Sequence, residues 1–110
     1  MKALGLTPAA AALLRAVLAR AGALRNTILL SDFRSTEWNS LTISGERHVF
    51  GLRLAAPTAA ALFGRMGAGL GDAEFAIPGL IVADIAVCGA PLRGRDGSLL
   101  MTIEALTVAD

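Results

Sequence analysis

WNSLTISGERHVFGLRL, residues 38–54, holds two runs of alternating apolar and polar residues with Gly45-Glu46 between them. Glycine at the first central position suits a two-residue type II′ turn, so the stretch predicts a β-hairpin of strands 38–44 and 47–54. That register sets Ser44 against Arg47, Ile43 against His48, Leu41 against Phe50 and Trp38 against Arg53. Strand alternation then gathers Leu41, Ile43, Phe50, Leu52 and Leu54 on one face. Trp38, Ser40, Thr42, Val49 and Arg53 take the other. A hairpin with one apolar face needs a cover, and the flanking sequence supplies it.

Upstream, residues 27–33 read as a further strand, ended by the polar run Arg34-Ser35-Thr36-Glu37. Before that, Thr7-Pro8 opens a helix: threonine accepts an early helical N–H, and proline fits the first helical position. Ala10, Leu13, Leu14, Val17, Leu18 and Ala21 recur at helical spacing as one buried stripe, and Gly22 suits the exit. Downstream, a second helix follows Pro57 with Ala59, Leu62, Phe63 and Met66 as its stripe, ended by Gly67, Gly69 and Gly71. Residues 80–88 and 99–108 read as two more strands around the turn Arg93-Gly94-Arg95-Asp96-Gly97. The expected order is α-β-β-β-α-β-β. It implies a single α+β domain over residues 1–110, a two-layer sandwich of a roughly five-stranded antiparallel sheet with two helices on one face. The uncovered face is expected to carry Trp38, Thr42, Arg53, Val82, Asp84, Leu100, Thr102 and Glu104.

Composition narrows the function. Hydrophobic residues make up 55% of the chain and charged ones 17%, with mean hydropathy +0.62. That is more apolar material than a small monomer needs, since soluble domains are about a quarter charged. A membrane span is excluded by length, because the longest candidate, residues 3–14, is broken by Gly5, Thr7 and Pro8 and ended by Arg15. Lys2, Arg15, Arg20 and Arg25 all precede the first acid, Asp32, as in transit peptides, but Arg15 interrupts the apolar run of a secretory signal. A subunit interface, a homodimer formed through the open sheet face or an edge strand, is the remaining explanation. Net charge is +1 with the arginines scattered, so no concentrated basic patch points to nucleic acid. One cysteine and one histidine leave no disulfide framework and no Cys/His zinc pattern, and fit a cytoplasmic home.

The residues with chemical potential each have a plainer role. His48 with Ser44 and Asp32 or Glu37 makes a hydrolase-like set on paper, but no nucleophile-elbow sequence surrounds any serine. No catalytic residue is therefore assigned. Cys88, between Val87 and Gly89, reads as a small buried hydrophobe. The glycines at 64, 67, 69 and 71 follow a helix instead of preceding one, so they form a helix end and not a phosphate cradle. No cofactor or metal is implied. Asp32, Asp84 and Glu104 are expected to form ion pairs with Arg34 and Arg53, and Trp38 to stack across strands on Arg53. The densest polar region, residues 34–48, is where a small anionic or amphipathic molecule would bind, on Arg34, Trp38, Thr42, His48 and Arg53.

Arg34–His48, together with Ile77-Pro78-Gly79-Leu80-Ile81-Val82-Ala83-Asp84-Ile85, resembles segments of small uncharacterised proteins of GC-rich proteobacteria. The richness in Ala, Gly, Arg and Leu is similar to such proteomes. The resemblance covers about a quarter of the chain and implies no activity. The sequence thus predicts a structural or interaction domain, with a ligand-binding module as the alternative and an enzyme using His48 as the third.

Overall fold

The computed structural model describes residues 5–23 and 25–110; Lys2, on which the targeting reading leans, lies outside them. Helix α1 spans Pro8–Arg20. The Thr7 hydroxyl accepts from the Ala10 N–H at 3.1 Å, and Pro8 occupies the first turn. Strands β1, Ile28–Asn39, and β2, Ser44–Leu54, form a long antiparallel hairpin. Helix α2, Ala59–Gly67, follows, then strands β3, Leu80–Val87, β4, Leu92–Arg93, and β5, Leu99–Ala109. Among the described residues these make one five-stranded antiparallel sheet in the order β1-β2-β5-β3, with β4 also on β5. The two termini of the sheet's path are thus β1 and β3, and the last strand of the chain lies inside.

The hairpin departs from the sequence reading in three ways. Its turn lies at residues 40–43 and not at Gly45-Glu46. Ser40 donates its N–H to the Ile43 carbonyl at 2.8 Å, and its hydroxyl accepts the Ile43 N–H at 3.2 Å. Asn and Ser are turn formers because their side chains make such local bonds. Leu41, expected in the core, is fully exposed at the tip, and Ile43 is exposed beside it. Secondly, the polar run 34–37 does not end a strand. Alternation continues through it, with Phe33, Ser35 and Glu37 on the inner face and Arg34, Thr36 and Trp38 on the outer, and polar side chains on a solvated sheet face break nothing. Thirdly, two expected strands merge into β1 while Leu92–Arg93 pairs with Leu100 and Leu99. The order is therefore α-β-β-α-β-β-β.

Gly45 misled because its reason is not a turn. It pairs with Trp38 inside the ladder, and a Cβ there would overlap the Thr107 carbonyl oxygen and lie 2.7 Å from the indole. The indole lies close against the glycine, an approach that only a missing side chain permits.

The core follows the alternation. Phe50, Leu52 and Leu54 of β2 are buried with Leu99, Met101, Ile103 and Ala105 of β5. The buried stripes of α1 (Ala10, Leu13, Val17) and α2 (Ala59, Leu62, Met66) belong to the same cluster. Val82, expected on the outer face, packs against this core, because its partner across the sheet is the buried Thr107. No helix among the described residues is long and apolar enough to cross a membrane.

Candidate functional site: the outer sheet face and a buried histidine network

Cross-strand register arranges the outer face in rows. Trp38, Gly45, Val108 and Ile81 form the row nearest the hairpin tip; Thr36, Arg47, Leu106 and Asp84 form the next. Arg34, Val49, Glu104 and Ala86 lie in the middle, followed by Asp32, Gly51 and Thr102. Leu29, Arg53, Leu100 and Leu92 close the far end. Both ends are mainly apolar, the far one also holding the Arg53–Asp96 pair, and the middle is charged. Leu29, Leu92 and Ile81 expose 62%, 67% and 49% of their surface.

A depression of about 420 Å³ opens near one end of this face, lined by Arg34, Thr36, Glu37, Trp38, Arg47, Val49 and Leu106. The Trp38 indole N–H is buried and has no hydrogen-bond partner among the described residues. Arg34 and Trp38 thus come together as expected, and Arg47 joins them. The other three expected site residues lie elsewhere. Thr42 sits at the exposed hairpin tip. Arg53 is at the far end, so it does not stack on Trp38; it pairs instead with Asp96 at 2.6 Å, both groups more than half exposed. The Asp96 carboxyl is held below the ordinary carboxylate range, chiefly by the Ser98 hydroxyl and N–H and then by Arg53. His48 points to the opposite face and has no exposed surface.

His48 heads a second constellation. The Ser35 hydroxyl lies 2.7 Å from Nδ1 and the Thr107 hydroxyl 2.9 Å from Nε2. The Glu46 carboxylate is 3.9 Å from Nδ1 and accepts the Thr7 hydroxyl at 2.7 Å, tying the start of α1 to β2. Phe50 stacks on the imidazole at 5.9 Å. Burial lowers the His48 pKa from its ordinary 6.5, with Glu46 opposing, so the ring is neutral at neutral pH. A neutral imidazole donates from one nitrogen and accepts at the other, and two hydroxyls match either tautomer. The partners are not the Ser44, Asp32 or Glu37 of the sequence reading. Ser35 becomes visible only once the alternation is carried unbroken through residues 28–39. The imidazole is fully buried with both nitrogens hydrogen-bonded, which suits a structural hydrogen-bond knot better than a base.

Asp32, Asp84 and Glu104 all lie on the outer face but on three different strands, and none is paired with an arginine among the described residues. Among the described residues no group of three ligating side chains is near enough to hold a metal. Cys88 is half-buried and unpaired, and burial, with Glu104 nearby, pushes its thiol up. Fold and site together define an open-sheet α+β protein with an amphipathic sheet face. No family model matches the chain, and no curated protein matches it.

Proposed function

We propose that the protein is a structural or interaction domain, a two-layer α+β subunit that forms a homodimer through its outer sheet face. The observation that carries this reading is the face itself: largely apolar rows at both ends, exposed large side chains at Leu29, Leu92 and Ile81, and no helix stripe among the described residues left to cover them. Covering a leucine contributes about 2 kcal/mol, and a few such side chains suffice to hold a pair together. The chain's high apolar fraction supports the same reading, and its single unpaired cysteine supports a cytoplasmic home. Light scattering tests it. A dimer at micromolar concentration, dissociated by Leu29→Lys with Leu100→Lys, is the expected result; a monomeric parent overturns it.

A second reading rests on the depression beside Trp38. Two arginines without carboxylate partners flank an apolar floor and an unpartnered indole N–H, which suits a small amphipathic anion. Titration of Trp38 fluorescence with aromatic carboxylates is expected to saturate if the site is used and to lose saturation in Arg47→Ala. Catalysis is not part of either reading, because His48 offers no surface to a substrate.

A further inference from the structure

Charge on the outer face is divided between its two halves. The β1–β2 half carries Arg34 and Arg47, with Arg53 already paired to Asp96, against one acid, Asp32; the β5–β3 half carries Glu104 and Asp84 and no base. Among the described residues Arg34 and Arg47 have no carboxylate partner, and Glu104 and Asp84 have no arginine or lysine partner. Taking the homodimer reading above as given, we propose that two copies pack face to face about a two-fold axis that runs parallel to the strands between β2 and β5.

The reasoning is a comparison of the two axes available to a face-to-face pair. An axis parallel to the strands lays β1 over the other copy's β3 and β2 over its β5, row upon the same row. Trp38 then faces the partner's Ile81, and Leu29 faces the partner's Leu92, so each apolar end meets an apolar end. In the middle, Val49 faces the partner's Glu104 and Arg47 reaches it from the neighbouring row. Arg34 faces the partner's Ala86, one row from the partner's Asp84. Symmetry repeats each contact, so the basic half of each copy lies on the acidic half of the other.

An axis across the strands keeps each strand over its own copy and exchanges the ends. The middle row then meets itself: Arg34 on the partner's Arg34 and Glu104 on the partner's Glu104. Arg47 would lie toward the partner's Arg53. Like charges pressed together between sheets are strongly unfavourable, which is how charge patterns select one partner geometry over another. The size of the face fits as well. Four strands about 4.8 Å apart and about ten residues rising about 3.4 Å each give roughly 20 by 34 Å, about 650 Å² before side-chain relief. A stable interface buries about 800 Å² per partner. Aligned sheets cross at about 30°, an angle that a two-fold axis along the mean strand direction accommodates.

Paired charge reversals test the arrangement. Arg34→Glu with Arg47→Glu, and separately Asp84→Arg with Glu104→Arg, are each expected to weaken dimerisation at least a hundredfold. An equimolar mixture of the two is expected to recover a one-to-one dimer by light scattering, with circular dichroism checking that each variant keeps the fold. Should a reversal fail to fold, cross-linking replaces it. In a Cys88→Ser background, Leu29→Cys and Leu92→Cys are made separately and treated with a bis-maleimide about 10 Å long, the spacing of packed sheets. The mixture is expected to give cross-linked dimer and each variant alone none. A parent that is monomeric overturns the homodimer reading itself. A dimeric parent whose reversals stay dimeric, or whose mixture neither re-pairs nor cross-links, leaves that reading standing and overturns this axis.

Discussion

His48 is itself fully buried and holds two hydroxyl partners, the buried Thr107 and the half-buried Ser35. Its lowered pKa means that the unfolded chain binds a proton there at higher pH than the folded one. The sign follows: the stability it contributes is full above about 6.5 and falls as pH drops from there toward the lowered folded value. Urea midpoints are expected to decline from about pH 8 to about pH 5, and His48→Gln, which hydrogen-bonds without titrating, to flatten that slope. Two glycines of β2 make a second prediction. A methyl at Gly45 meets the Thr107 backbone and the Trp38 ring, neither of which can yield, whereas one at Gly51 meets chiefly the ends of the Asp32 and Ser31 side chains. Gly45→Ala is expected to cost about 2–4 kcal/mol and Gly51→Ala under about 1, measured by urea unfolding.

At the scale of elements, α1 packs on the sheet through its buried stripe and is tied to β2 by a side-chain hydrogen bond at one residue, Thr7. Thr7 caps the helix and also donates to Glu46, so Thr7→Ala removes both bonds and is expected to cost about 1–2 kcal/mol in the same assay. The helices were legible because a cap, a first-turn proline and a stripe all act within a few residues of each other. Their predicted stripes face the core: Ala10, Leu13, Val17, Ala21, Ala59, Leu62 and Met66 are buried in it, and Leu14, Leu18 and Phe63 pack partly buried against it. The hairpin was legible as a hairpin but not in its register. Glycine marks both tight turns and close approaches, and nothing local distinguishes Gly45 from a turn glycine before Trp38 is known to lie on it. The shift of turn keeps Phe50, Leu52 and Leu54 inside, since their parity is unchanged, but moves Leu41 and Ile43 out of the core and His48 opposite Ser35.

Across the whole molecule, the uncovered face sets the expected behaviour in solution. Its apolar ends resist salt, whereas its charged middle is screened by it. The proposed homodimer is therefore expected to weaken several-fold between about 0.05 and 0.5 M salt without dissociating fully, a change that sedimentation can follow. The composition alone determined that this small chain has apolar surface to spare, and the local spacings determined its two helices, the β-rich remainder and the parity of β2 and β5. These are short-range or additive properties, readable from neighbours along the chain. Where the hairpin turns, which hydroxyls reach His48, and how the charges divide between the halves of the outer face were decided by the tertiary structure. Each depends on which strands lie side by side, and the chain's last strand enters between β2 and β3, a placement set by packing across the whole sheet rather than by any local run of residues.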